Sequence, residues 1–317
     1  MQRYIIRRLL LMIPTIFGIS VLIFAMVRLV PGDIVTLMSG DYGAVPDNVR
    51  EAILRDFGLD RNWVVQYISW ASDILRLDLG TSLISGRSVG GDMAARLPVT
   101  FELGLLAILV STAIALPIGI ISAIRQESAA DYVGRSFAIS LIAAPNFWVA
   151  IILFTLAGRY FTWGVPPVTY VPFTEDPIGN LKMMAVPAFI LGGGLSGVVM
   201  RFTRSAMLEV LRQDYVRTAH SKGLTERAVI VRHALKNALI PVVTVIGGQI
   251  PLVIGGTVVV ETVYSLPGVA RLYFTAINTL DFPVIQGIVL LTSIVVVLSN
   301  LLVDLTYSVL DPRIRYA

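Results

Sequence analysis

Apolar residues in this chain come in long runs rather than in stripes. Six stretches, residues 9–30, 99–121, 136–157, 183–200, 239–260 and 283–310, are apolar on every face. A bilayer core about 30 Å thick takes roughly 20 apolar residues of helix, so the pattern predicts an all-α membrane protein with six transmembrane helices. A surface helix would alternate with a 3.6-residue period, which is weak here. Pro14, Pro117, Pro187 and Pro251 fall inside the runs, as membranes allow when neighbouring helices satisfy the freed backbone. The first run follows Arg3, Arg7 and Arg8 but is too long for a signal peptide and lacks a small-residue cleavage site. It reads as a retained signal anchor.

Between the first two runs, residues 31–98 carry nine acids and six bases. They include the amphipathic patterns DNVREAILRDFG and RNWVVQYISWASDILR, which predict a folded helical segment rather than a linker. Lys and Arg set the orientation. Fifteen lie in the N-terminal tail, the 125–135 loop, the 201–236 loop and the C-terminal tail, and nine lie on the other side, six of them in the long 31–98 segment. Both termini are therefore expected in the cytoplasm, with residues 31–95 outside.

Only 15% of the 317 residues are charged and 56% are hydrophobic, against about one quarter charged in soluble domains. With no cysteine, the chain has no disulfide, thiol catalyst, iron–sulfur cluster or Cys-based zinc site. Two histidines, His220 and His233, do not make a His-rich metal site. The three lysines, Lys182, Lys222 and Lys236, follow Leu, Ser and Leu, so no phosphate-binding Gly-Lys-Ser/Thr loop exists. The Gly194–Gly197 stretch, GLSG, matches a pattern of intramembrane serine proteases. Ser196 would need a general base beside it, and both histidines lie in the loop between runs four and five. Helix packing through small residues is the alternative. Neither a catalytic nor a metal site is expected.

The candidate functional charges in or near the runs are Arg28, Glu102, Glu261 and Asp304. Intramembrane charges are often functional, but all four fall near predicted helix ends, where a charge reaches the interface. This weakens a proton-coupled carrier as an alternative. In the fifth run Thr244, Gly248, Pro251 and Gly255 share one narrow face, with Gln249 beside it. Two readings fit that face: a close helix contact or the wall of a pathway.

Residues 201–236 carry eight Lys or Arg and both histidines. SAMLEVLRQDYVRTAHSK predicts one helix with Leu208, Leu211, Tyr215 and Ala219 on a stripe. Gly223 ends it, and Thr225 caps a second helix running toward Pro241. Anionic lipid would explain the charge. A docking knob for a cytoplasmic partner also explains the turn.

YVRTAHSKGLTERAVIVRHALKNALIP resembles the EAA loop of ABC importer permeases, with Ala219, Gly223 and Ile240-Pro241 in its Ala-x-x-x-Gly…Ile-Pro pattern. Arg217 stands where the general pattern has Glu, and His220 where an Arg is common. RYIIRRLLLMIPTIFGISVLIFAMVRLVPGD, LDLGTS, RLPVTFELGLLA, VVETVYSLPGVARL, DFPVIQG and DPRIR extend the resemblance along the chain, to the B-type subunit of the dipeptide/oligopeptide/nickel group. The resemblance implies a type I ABC importer permease fold. It divides the chain into a tail and first helix (1–30), an extracytoplasmic segment (31–95), a permease domain (96–308) with its coupling loop at about 201–241, and a cytoplasmic tail (309–317).

It also implies a bacterial or archaeal cytoplasmic membrane and a set of partners: a homologous second permease, two ABC ATPases that bind ATP and Mg, and a solute-binding protein. No nucleic-acid partner and no cofactor in this chain are implied. The ATPase-coupling residues would be Tyr215, Arg217, Ala219, His220, Lys222, Gly223 and Leu224, and the pathway candidates Thr244, Gly248, Gln249, Pro251 and Gly255. Peptides are the default solute, with nickel, haem, glutathione and opines as alternatives.

Overall fold

A computed structural model describes residues 2–29, 51, 60–160 and 169–310. The helices are α1 (Gln2–Leu29), α2 (Trp63–Leu75), α3 (Val89–Ile124), α4 (Ala129–Ala143), α5 (Asn146–Tyr160) and α6 (Pro177–Leu211). They continue with α7 (Asp214–Ser221), α8 (Leu235–Gly247), α9 (Gln249–Val263), α10 (Val269–Asn278) and α11 (Phe282–Leu310). Apart from Glu51, the first amphipathic pattern of the 31–98 segment lies outside the described residues, as do the closing DPRIR and the side chain of Asp304.

Among the described residues, five stretches are long and apolar enough to cross a membrane: Ile6–Leu29, Val89–Ile124, Pro177–Leu211, Glu226–Val253 and Phe282–Val303. The third apolar run departs from expectation. It is not one straight helix but α4 and α5, bent by 94° at the break. The cause is Pro145: the residue before a proline is pushed out of the α region, and Ala144 sits at φ −77°, ψ 116°. Hydropathy runs straight through this corner, which is why the run reads as continuous.

The chain forms two compact units, Pro98–Arg271 with Val296–Ala317 and Gln2–Leu97 with Leu272–Val295. In the first, α6 is the central helix. Met184, Ala188 and Leu191 on α6 pack with Leu103 and Ala107 of α3, Ala150 of α5 and Val260 of α9. One turn-rich layer further along, Val199 and Met200 meet Ala115, Ala138 and Val242. Close approach explains the glycines: a Cβ on Gly197 would lie 2.6 Å from the Ala138 carbonyl oxygen. Ser196 is fully buried and its hydroxyl donates to the Gly193 carbonyl at 2.7 Å. The GLSG stretch is helix packing.

In the second unit α2 lies on α1. Asn62 caps α2, its side chain accepting from the Val64 N–H at 2.9 Å. Tyr67 meets Phe17 and Phe24 edge-on and shares a 2.8 Å hydrogen bond with Ser20. Residues 80–89 turn back on themselves through a Thr81–Ser88 bridge. The turn is fastened by Asp281, which accepts from the Ser82 hydroxyl at 2.5 Å and the Leu83 N–H at 3.1 Å.

Candidate functional site

The basic loop is built differently from the expected pair of continuous helices. α6 stops at Leu211, and α7 starts at Asp214 after a break at Arg212 and Gln213. The break rotates the register: Tyr215 is exposed, and Val216 takes the inward position instead. Val216, Ala219 and Val229 form a small core, covered by Val210 and Leu211. Beyond α7, Gly223 adopts φ +77°, a left-handed conformation that suits glycine. Leu224 N–H then donates to the Ala219 carbonyl at 3.4 Å and closes the turn.

The returning strand of the loop is also irregular. Thr225 occupies the cap position but makes no side-chain cap bond. Glu226–Ala228 is one short turn, and Val229–Ala234 is a π-helix before α8. π segments are rare and often sit at functional sites. Val229 is buried, His233 half-buried and Lys236 exposed, so these three do not share one face. Tyr215 does have a partner here, since its hydroxyl accepts from Asn237 Nδ2 at 2.8 Å.

The candidate coupling residues therefore separate into two groups. Arg217, His220, Lys222, Gly223 and Leu224 are exposed, with Tyr215 beside them. Ala219 is only 6% exposed and belongs to the loop's own core. An apolar core of three small side chains holds a sharp, solvent-facing, basic tip.

The tip is connected to the bundle through α6. Arg204, two turns before the end of α6, donates from Nε and Nη2 to the two carboxylate oxygens of Asp131, both at 2.8 Å. Asp131 is fully buried and also accepts from Ser122 at 2.5 Å and the Glu127 N–H at 3.1 Å. This two-point geometry is the strong form of an Arg–carboxylate pair. Sequence reading counted Arg204 only as one more positive charge and passed over Asp131. A carboxylate in the first turn of a helix beside a basic loop was the available signal.

Glu261 overturns the expectation of an interfacial anchor. It is fully buried. Its carboxylate accepts from Thr100 Oγ1 and from the Arg271 N–H, each at 2.8 Å, while Thr100 Oγ1 in turn accepts from the Val269 N–H at 2.9 Å. A carboxylate thus caps the N-terminus of α10, where N–H groups have no helical partner. Glu102 is half-buried inside α3, well away from its ends, and accepts from the Tyr170 hydroxyl at 3.2 Å. Burial, with Glu102 nearby, pushes Tyr170 up to about 12, so it remains a donor at neutral pH.

The pathway candidates do not share one environment. Gly248 sits at the α8–α9 break and is exposed, as is Gly255; Pro251 is half-buried in the first turn of α9, where a missing N–H costs little. Gln249 is buried and turned into the unit, donating to the Leu195 carbonyl at 3.0 Å. Thr244 lines an apolar cavity of about 260 Å³ with Leu105, Gly247 and Val303. No group of three or more His, Asp or Glu that could hold a metal occurs among the described residues.

Two family models cover this architecture. Residues 115–316 match the binding-protein-dependent transport system inner membrane component, and residues 1–104 match the N-terminal model of the same membrane component. The chain belongs to this family. It is a multi-pass inner-membrane permease subunit of an ABC importer, and ATP hydrolysis resides in partner subunits. A paired permease, ABC ATPases and an extracytoplasmic solute-binding protein complete such a system.

Among its relatives is a putative peptide transport system permease protein of Brucella abortus, 40% identical over 316 residues and the full length of both chains. The dipeptide transport system permease protein DppB of Escherichia coli is 38% identical over 340 residues, covering 100% of this chain and 99% of that one. The oligopeptide transport system permease protein AppB of Bacillus subtilis is 38% identical over 319 residues and all of both chains. A crystal structure of an amino acid ABC transporter with histidines shares the fold at a TM-score of 0.52 and 13% identity, over 69% of this chain and 94% of the other.

Proposed function

We propose that the chain forms half of the translocation pathway of a peptide importer, crossing the membrane six times with both termini in the cytoplasm. The bent α4–α5 pair supplies the sixth crossing, and the 31–95 segment lies outside. Residues 96–308 act as the permease domain, within which 201–241 is the coupling loop. The observation that carries this reading is the loop itself, a tip of His220, Lys222, Gly223 and Leu224 projected from a buried Val216–Ala219–Val229 core.

Such a tip suits an ATPase cleft better than a lipid surface. Lipid attraction needs only charge, whereas here a left-handed glycine and a dedicated core define one shape. Interface energy is concentrated in a few central residues, which the tip supplies. Along the pathway, Gly248, Pro251 and Gly255 line the wall, and Gln249 and Thr244 support it from within. Peptides as the solute rest on the full-length relatives at 38–40% identity that are named for peptide transport.

The experiment is uptake of labelled di- and oligopeptides by cells lacking their own peptide importers. This chain would be expressed with the partner permease, ATPases and solute-binding protein encoded beside it. Peptide uptake that requires this chain is the expected result. Uptake of nickel, haem, glutathione or an opine instead would reject the peptide assignment and keep the permease.

A further inference from the structure

The unit made of Gln2–Leu97 and Leu272–Val295 contains a cavity of about 460 Å³ that the transport reading does not use. Arg28, Arg61, Trp70, Asp73, Asp78 and Gln286 line it. Gln286 is 7% exposed, and its amide nitrogen is buried without a hydrogen-bond partner among the described residues. Native proteins rarely leave a buried donor unmade, so this nitrogen is a place for an acceptor such as an ordered water or a ligand oxygen.

Arg28 is poised in the same way. Its Nε donates to Gln66 Oε1 at 2.9 Å and its Nη1 to the Phe24 carbonyl at 3.2 Å, which fixes the guanidinium over the Phe24 ring and leaves Nη2 for another acceptor. Asp73 and Asp78 are exposed, and neither forms an ion pair with Arg28 or Arg61 among the described residues. Two cations and two anions therefore line one cavity without neutralising each other. That arrangement fits a zwitterion: an oxyanion toward Arg28 and Gln286, and an ammonium toward Asp73 and Asp78.

The surroundings decide what kind of zwitterion. Arg28 is in the last turn of α1, a helix long and apolar enough to span the membrane. On that end of α1, Leu22, Met26 and Leu29 are 63%, 66% and 69% exposed. α2 likewise exposes Trp63, Val64 and Ile68. A polar cavity beside bare apolar flanks suits an amphiphile, with its head in the cavity and its chains along the helices. We propose that this cavity binds the headgroup of an amine-bearing phospholipid, phosphate oxygens on Arg28 and Gln286 and the ammonium on Asp73 and Asp78. Arginine is a favoured partner for phosphate because its planar fork matches the oxygens.

A free peptide or amino acid carries the same pair of charges, so the test separates the sources. The purified full-length chain is exposed to dioleoylphosphatidylethanolamine, dioleoylphosphatidylcholine or dioleoylphosphatidylglycerol, and bound lipid is counted by native mass spectrometry. Glycyl-glycine is added as the soluble competitor. Phosphatidylethanolamine should be retained about tenfold better than phosphatidylcholine, whose quaternary nitrogen offers no N–H to Asp73 and Asp78.

Gln286→Leu should lower that retention about tenfold, the equivalent of one buried hydrogen bond to a charged group. The Asp73→Asn/Asp78→Asn variant should remove the preference for ethanolamine over choline. Those two positions are exposed, so that variant carries the test even if Gln286→Leu fails to fold. Equal retention of the three lipids, or variants that hold phosphatidylethanolamine like the parent, would overturn the proposal. So would its displacement by glycyl-glycine, which would assign the cavity to a free solute.

Discussion

Asp131 and Arg204 meet in a two-point ion pair, with Nε and Nη2 each 2.8 Å from a different carboxylate oxygen. The pair ties the first turn of α4 to the stretch of α6 that leads into the basic loop. Asp131 is fully buried, and among the described residues its charge is compensated by Arg204, the Ser122 hydroxyl, the Glu127 N–H and, at 3.7 Å, Arg135. Removing one partner of a buried pair leaves the other uncompensated, at a cost of about 3–5 kcal/mol. Arg204 keeps a fifth of its side chain exposed, which places this pair at the lower end.

Asp131→Ala should thus destabilise the protein by about 3 kcal/mol, whereas Asp131→Ala combined with Arg204→Met should recover much of that loss. Thermal unfolding of the purified chain, followed by tryptophan fluorescence, measures both. A double variant as unstable as the sum of its parts would mean the two residues act independently.

Glu261 gives a second prediction. Gly268 lies so close that an added Cβ would fall 2.2 Å from the Glu261 carboxylate. A flexible carboxylate would swing aside, but this one is held by Thr100 and the Arg271 N–H. Gly268→Ala should therefore cost about 2 kcal/mol, in the range of overpacked cores. Glu261→Gln should cost a similar amount, because an amide places a donor where only donors face it. Denaturation midpoints of the two variants check this, and a neutral Gly268→Ala would contradict the cap on α10.

At the loop tip, the two glycine-motif positions should behave differently. Nothing lies within 4 Å of a Cβ on Gly223, so Gly223→Val meets no clash. It pays instead for φ +77°, about 1–3 kcal/mol for a β-branched residue. The turn should open while the rest of the chain stays folded. Ala219→Glu puts a charge into the Val216–Val229 core and should unfold the loop rather than only weaken docking. Leu224→Asp, on a 41% exposed side chain, probes docking without that damage. Limited proteolysis should cut Ala219→Glu in the loop and leave Leu224→Asp as resistant as the parent.

Much of the helical plan was legible because hydrophobic runs report burial in lipid directly. α3, α6 and α11 each contain the expected run, and α1 contains residues 9–29 of the first. What pattern could not convey was geometry inside a run. Pro145 turns the chain by 94° with no change in hydropathy. Arg212 and Gln213 are good helix formers, so the break between α6 and α7 left no trace, and tertiary packing of Val216 and Ala219 decided it. The π segment at Val229–Ala234 was hidden for the same reason.

Polar residues were misjudged where their partners lie far along the chain. Glu261 meets Thr100 across 161 positions and Arg204 meets Asp131 across 73. Position along a run cannot reveal such pairs. Gly223 was readable because its requirement is local.

Orientation has its own check. With reporter fusions, Asp73 should report outside and Lys222 inside, since fifteen Lys and Arg against nine favour that side. An external Lys222 would remove the loop from reach of any ATPase.

The most direct measurement is ATP hydrolysis and peptide uptake in proteoliposomes. They would contain this chain alone, the chain with its partner permease and ATPases, or that complex carrying Gly223→Val, Leu224→Asp or Arg201→Gln, with solute-binding protein supplied outside. The chain alone should hydrolyse no ATP. The assembled complex should couple binding-protein-stimulated hydrolysis to uptake, both tip variants should lose that coupling, and Arg201→Gln, an exposed position on α6, should keep it. ATP turnover by the isolated chain, or normal uptake by both tip variants alongside none by Arg201→Gln, would contradict the account.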